Sequence, residues 1–225
     1  MRRILAVLAL SLLIITAGCG KTELPAVDGQ ALIEQARAQY TALDSAQVVT
    51  TDLSDNHIAQ SFTFKYDEVG MLIYSYTIAA DGEVRAEYNN GFLCEVLENG
   101  VYTVTEKGMA DFSAYNRAYP HRMAGAGLIA FDRAAVLTSS LKTEGEVTTV
   151  TVTFDPSKIG LDAMAYAMVY RFSADGTLID FTSATVTKTD AGEKTLAFRT
   201  EIKQRNGVTA VENPVKPPET PASAQ

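Results

Sequence analysis

Asp81-Gly82-Glu83-Val84-Arg85-Ala86-Glu87-Tyr88-Asn89-Asn90-Gly91-Phe92-Leu93-Cys94-Glu95-Val96-Leu97-Glu98-Asn99-Gly100 is a stretch of two strands cut by three turns. The pairs Asp81-Gly82, Asn90-Gly91 and Asn99-Gly100 recur nine residues apart. Asp-Gly and Asn-Gly favour tight hairpins, because both central residues of such a turn must reach positive φ. Glu83 to Asn89, Phe92 to Glu98 and, beyond the last turn, Val101 to Glu106 are each long enough for one strand. Successive hairpins make an antiparallel meander, whereas a parallel sheet would need crossover helices.

Upstream, the same period of two continues. Leu72, Tyr74, Tyr76 and Ile78 alternate with Ile73, Ser75, Thr77 and Ala79, and Phe62, Phe64 and Tyr66 alternate with Ser61, Thr63 and Lys65. Both patterns are half-buried strands. Before Ala46 the period lengthens. Ile33, Ala36, Tyr40 and Leu43 form one stripe of a helix over Asp28 to Asp44, with the Asp28 carboxylate as the expected cap of its first turn.

Downstream, Lys107 to Lys142 breaks the strand pattern with Pro120, Gly125 and Gly127. Its apolar spacing predicts helices near Asp111 to Ala118 and Leu128 to Ser140. Strands are expected again at Val147 to Phe154, Tyr166 to Ser173, Thr177 to Lys188 and Lys194 to Gln204, with a helical turn after Asp155-Pro156. The whole reads as an α+β fold: a curled antiparallel sheet of about ten strands, an N-terminal helix, and a helical insertion covering the concave face. A single sheet of that size curls, and its hollow side must be filled.

The two ends have their own character. Arg2 and Arg3, an apolar run from Ile4 to Ile15, and the small residues Thr16, Ala17 and Gly18 precede Cys19. Charge, apolar run and small residues in that order are a secretory signal. The run has twelve residues, against the roughly 20 of a spanning helix. Thr16 to Cys19 resembles the bacterial lipobox, in which the cysteine becomes the acylated N-terminus, although Leu is usual where Thr16 stands. The expected organisation is a lipoprotein signal peptide over 1–18, a lipidated tether over 19–27, one domain over 28–212, and a Pro-rich disordered tail over 213–225. The tail holds Pro214, Pro217, Pro218 and Pro221 and almost no apolar side chains.

Losing Arg2 and Arg3 with the signal would move the formal charge from −8 to −10. An acidic surface argues against nucleic acid and against a polybasic grip on anionic lipid, so membrane attachment would rest on Cys19 alone. With Cys19 acylated, Cys94 has no partner in the chain; among apolar neighbours it reads as a buried, inert thiol. Neither His57 nor His121 has metal-ligand spacing. Ser139-Ser140-Leu141-Lys142 matches S-x-x-K without its companion elements, and no nucleophile elbow, P-loop or dinucleotide fingerprint occurs. No catalytic residue, metal or cofactor is expected.

Three segments carry a family resemblance: the helix-to-strand opening Leu32 to Ala46, the hairpin Asn90 to Val104, and Tyr170-Arg171-Phe172-Ser173-Ala174-Asp175-Gly176-Thr177-Leu178 with the closing Asn213-Pro214-Val215. The chain resembles the LolA-like lipoprotein carriers, a group that includes LolA, LolB and the actinobacterial LppX and LprG proteins. The resemblance implies a half-open β-barrel whose hollow, closed by helices, takes acyl chains. It transfers no functional residue position by position.

Phe62, Phe64, Tyr66, Tyr74, Tyr76, Tyr170 and Phe172 are the candidate lining of that hollow. Two functions remain open at this point, while a third, a hydrolase, lacks any recognisable nucleophile. One is a lipid-anchored carrier or sensor on the extracytoplasmic face of a bacterial membrane. The other is a surface lipoprotein with a packed, ligand-free core that engages another envelope protein or a peptide.

Overall fold

The computed structural model describes residues 26–80, 83–106 and 133–215. Helix α1 (Gln30–Thr41) comes first. The strands follow as β1 (Ser45–Asp52), β2 (Ile58–Tyr66), β3 (Leu72–Ala80), β4 (Glu83–Asn89), β5 (Leu93–Glu98) and β6 (Val101–Glu106), then β7 (Val136–Glu144), β8 (Val147–Phe154), β9 (Ala165–Phe172), β10 (Leu178–Thr189) and β11 (Gly192–Lys203). They form one antiparallel sheet in the order β6-β5-β4-β3-β2-β1-β11-β10-β9-β8-β7, with β6 and β7 as unclosed edges.

Among the described residues the strand count is eleven rather than about ten, and the added strand is β7. It occupies the second half of the segment expected to be helical, Leu128 to Ser140. Leu137 and Leu141 have helical spacing, but β-branched Val136, Thr138 and Thr143 line up with Phe154, Thr153 and Thr148 of β8. The pair Gly145-Glu146 leaves only a two-residue link between the strands, with Gly145 at φ 60°. Cross-strand pairing outweighs the weak local period. The helix expected at Asp111 to Ala118, and with it the proposed helical cover, falls outside the described residues, as do the signal and Cys19.

The opening helix is shorter than its stripe suggested, and Asp28 does not cap it. Gly29, at φ 72°, occupies that position without a side-chain bond. The Asp28 amide instead donates to Ser139 Oγ on β7, 2.9 Å away. A glycine is needed there twice over. Positive φ disfavours other residues, and a Cβ would sit 2.3 Å from Val150 Cγ2 on β8.

Curvature follows from two contacts of α1. Gly29 touches β8, and eleven residues later Tyr40 meets Phe64 of β2. Eleven residues of helix advance about 16 Å. The two strands are five positions apart in the sheet, about 24 Å on a flat surface at ~4.8 Å per strand. The sheet therefore wraps around the helix. Its inner face carries Ala46, Val48, Phe62, Phe64, Val150, Val152, Met168, Tyr170, Phe172 and Phe181, all buried.

The outer face of β1 to β3 bears Gln47, Ser61, Thr63, Lys65, Ser75 and Thr77, and the C-terminal segment crosses it as a strap. Lys65 Nζ donates to Thr209 O at 3.0 Å, and Asn213 Nδ2 donates to Glu95 Oε2 on β5 at 2.7 Å. Val208 and Val215 are buried. The expected tail boundary at Asn213 therefore moves: the chain stays docked at least as far as Val215.

Candidate functional site, the inner face of the sheet

All seven candidate aromatic residues project from the inner face, in two groups. Phe62 stacks on Phe64 with centroids 5.6 Å apart and touches Tyr74 and Tyr76, while Phe64 also meets Tyr66. Across the sheet, Tyr170 stacks on Phe172 and leans on Phe181. Register enforces this. Phe62 faces Val48 and Tyr76, and Phe64 faces Ala46 and Tyr74. A slip of one residue would bury Lys65 in place of Phe64.

Burial changes along the strands. Helix α1 covers one end, called lower here, where Leu32 and Gln35 pack against Gly176 in the β9–β10 turn. On β9, Phe172, Tyr170 and Met168 are buried and Tyr166 is half-buried. On β3, Leu72 and Tyr74 are buried, while Tyr76 and Ile78 are half-buried. On β11, Ile202 and Thr200 are buried, but Phe198 and Leu196 are half-buried. The lower rings are thus a packed core beneath α1, and the upper rings keep part of their apolar surface accessible. Of the seven candidates only Tyr76 is half-buried, and on β3 the opening begins lower, since Tyr76 stands in the row of buried Phe62, Val48 and Ile202. Ile78, Tyr166, Leu196 and Phe198 lie outside the seven candidates, because period two shows which face a residue takes and not how far along the face the helix reaches.

Burial also sets the phenol chemistry. It pushes the hydroxyls of Tyr40, Tyr166 and Tyr170 above their usual pKa, most strongly for Tyr40 and Tyr170, so all three stay neutral.

A polar cluster interrupts the inner face on β4 and β5. Glu87 and Asn89 are buried although local hydropathy would turn Val84, Ala86 and Tyr88 inward. Pairing with β3 decides otherwise, setting Glu87 opposite Tyr76 and Asn89 opposite Tyr74. The Tyr74 hydroxyl donates to Glu87 Oε1, the Cys94 thiol reaches the same oxygen at 3.5 Å, and Arg85 Nη2 donates to Glu87 Oε2 at 3.0 Å. The bond to Glu87 raises the Arg85 pKa further above its already high value. Cys94 is buried, but beside a carboxylate rather than the apolar neighbours expected for it; Phe92 is exposed.

The S-x-x-K match is not assembled. Three residues apart on a strand, Ser139 and Lys142 point to opposite faces. Ser139 Oγ accepts from Asp28, and Lys142 pairs with Glu144 at 2.5 Å. In the β1–β2 loop, ligand atoms of Asp52, Asp55 and His57 lie within 4.8 Å of one another, a grouping at i, i+3 and i+5 that spacing did not flag. His57 Nδ1 is 2.5 Å from Asp55 Oδ1, and Nε2 is 3.0 Å from Ala79 O. Both ring nitrogens face acceptors, so the imidazolium is the form that satisfies them. Hydrogen bonds to Asp55 and then to the Ala79 carbonyl raise the His57 pKa.

Clefts lie under the strap, on the other side of the sheet. One of about 520 Å³ lies between Gln47, Ser61, Thr63, Ser75 and Thr77 and the strap. Another, of about 930 Å³, opens beside Lys65, Asp67 and Tyr88. Among the described residues no helix is long and apolar enough to cross a membrane.

No family model matches the chain, and no curated protein does. Among solved structures it is similar to LprF from Mycobacterium bovis, at a TM-score of 0.43 and 13% identity, covering 85% of this chain and 99% of that one. It is also similar to MucB in a complex with MucA(peri) and to the MucA/MucB complex of Pseudomonas aeruginosa, each at a TM-score of 0.17 and 9% identity over 78% of this chain and 94% of theirs. None of these likenesses transfers a residue role.

Proposed function

We propose that this chain is a non-enzymatic envelope lipoprotein, held to the membrane through acylated Cys19, whose inner sheet face accepts acyl chains at its upper end. One observation carries the reading: the burial gradient along β3, β9 and β11. The lower aromatic residues are sealed under α1, whereas Tyr76, Ile78, Tyr166, Leu196 and Phe198 continue the same apolar face with accessible surface. An alkyl chain laid there gains ~25 cal/mol for each Å² of apolar surface removed from water. The lower core keeps the platform rigid, so the upper rings need not be reorganised on binding.

Binding of cis-parinaric acid, a fluorescent C18 fatty acid, tests this. The full chain should enhance its fluorescence, and Tyr76→Ala or Phe198→Ala should weaken binding several-fold. A full chain that binds neither the fatty acid nor its uncharged methyl ester would overturn the acyl reading. It would leave the protein-interaction module, with its packed core, as the standing alternative.

A further inference from the structure

Arg37 sits on α1 at the border of that upper region. Ile33, Ala36 and Tyr40 point at the sheet. At about 100° per residue, Arg37 lies ~40° around the helix from Ile33, on the flank opposite Leu32 and Gln35. Those two pack against Gly176 at the lower end, so the flank bearing Arg37 faces the upper end. The side chain is half-buried, and its charge reaches the Tyr170 hydroxyl.

Among the described residues Arg37 Nε is buried without a hydrogen-bond partner, as are the Nε atoms of Arg85, Arg133 and Arg199. Among the described residues no carboxylate pairs with Arg37, although the chain carries 27 acidic residues and a formal charge of −8. A buried guanidinium N–H without an acceptor is costly, and a planar fork of donors suits a carboxylate or phosphate better than any neutral group. The cation therefore has two attributes of one half of an ion pair: an unmet donor, and a position beside apolar surface that could hold a chain.

We propose that Arg37 anchors the anionic group, carboxylate or phosphate, of an acyl lipid whose chain lies along Tyr76, Tyr166, Leu196 and Phe198. The proposal rests on the acyl-binding reading above and adds the class of ligand, an acidic amphiphile rather than a neutral one. Arg85 on the same face is already paired with Glu87 and Glu98, so it is not equally open to a head group.

The test compares cis-parinaric acid with its methyl ester at pH 7.5, using the full chain carrying Cys19→Ser so that no covalent acyl group competes. The wild-type Arg37 protein should bind the acid about ten- to a hundred-fold more tightly than the ester. Arg37→Gln should remove that preference while leaving ester binding in place, and Arg37→Lys should keep part of it. Equal affinity for acid and ester with Arg37 present would overturn the anchor and leave the acyl site standing. Failure to bind either probe would overturn both readings. Displacement of the acid by millimolar inorganic phosphate, with the ester unaffected, would show a site for a free anion instead of a lipid head group. The acid–ester comparison needs no variant, so it decides the matter even if Arg37→Gln folds poorly.

Discussion

The ring of Tyr40 on α1 meets that of Phe64 on β2 edge-on, with centroids 6.1 Å apart and planes at 78°. This contact closes the lower end of the inner face, and Phe64 has no exposed surface. Phe64→Ala should therefore cost about 3–5 kcal/mol, the transfer of a ring plus an unfilled cavity. Tyr76→Ala, at a half-buried position, should cost only about 1.5–3 kcal/mol. Chemical denaturation of the two variants measures the difference. Equal losses would mean that the upper end is as tightly packed as the lower.

The strap divides the C-terminus into a docked part and the rest. Deleting Pro217–Gln225 removes almost no apolar surface and should leave the thermal midpoint unchanged. Deleting Val208–Gln225 removes two buried valines, the Asn213–Glu95 bond and the acceptor of Lys65. That loss should exceed about 3 kcal/mol. A longer deletion as harmless as the shorter one would show that the strap does not hold the sheet.

His57 reports its surroundings through its titration. Followed by NMR, its pKa should lie above the usual 6.5 and fall back towards it in Asp55→Asn. A histidine with a raised folded pKa adds stability that is complete below its unfolded pKa and is lost as pH rises through the folded value. Asp55 is lowered, first by its bond to the His57 side chain, so its contribution is lost as pH falls through its own folded pKa. The contact is strongest between those limits, and it is small because both groups are largely exposed.

Membrane attachment should depend on one sulfur. Cys19→Ser should abolish metabolic labelling with palmitate and release the chain from the lipoprotein route. Continued labelling, with continued partition into membranes, would remove Cys19 as the anchor.

Much of the architecture was legible from residues alone. Asn99 and Gly100 do turn β5 into β6, both at positive φ, as an Asn-Gly hairpin requires. Asn90-Gly91 does so less directly. Only Gly91 has positive φ, and the Asn90 carboxamide accepts the amides of Phe92 and Leu93, so β5 starts one residue later than expected. Asp155 and Pro156 start the short 3-10 turn where they were expected to, with the Asp155 carboxylate accepting the Ser157 amide.

By itself the sequence determined the elements whose causes are local: the meander from its turn pairs, the inward row Phe62, Phe64 and Tyr66 from its alternation, and the α1 stripe from Ile33, Ala36 and Tyr40. Turn dihedrals and hydrophobic period act over a few residues, so they can be read one segment at a time. Tertiary structure alone decided what depends on distant partners. Pairing with β8 makes Val136–Glu144 a strand against its helical spacing, and pairing with β3 turns Glu87 and Asn89 inward against their polarity. The reach of α1 along the sheet seals Phe64 and leaves Tyr76 and Phe198 partly open. These outcomes follow from register and coverage between segments far apart in the chain, which no local pattern encodes.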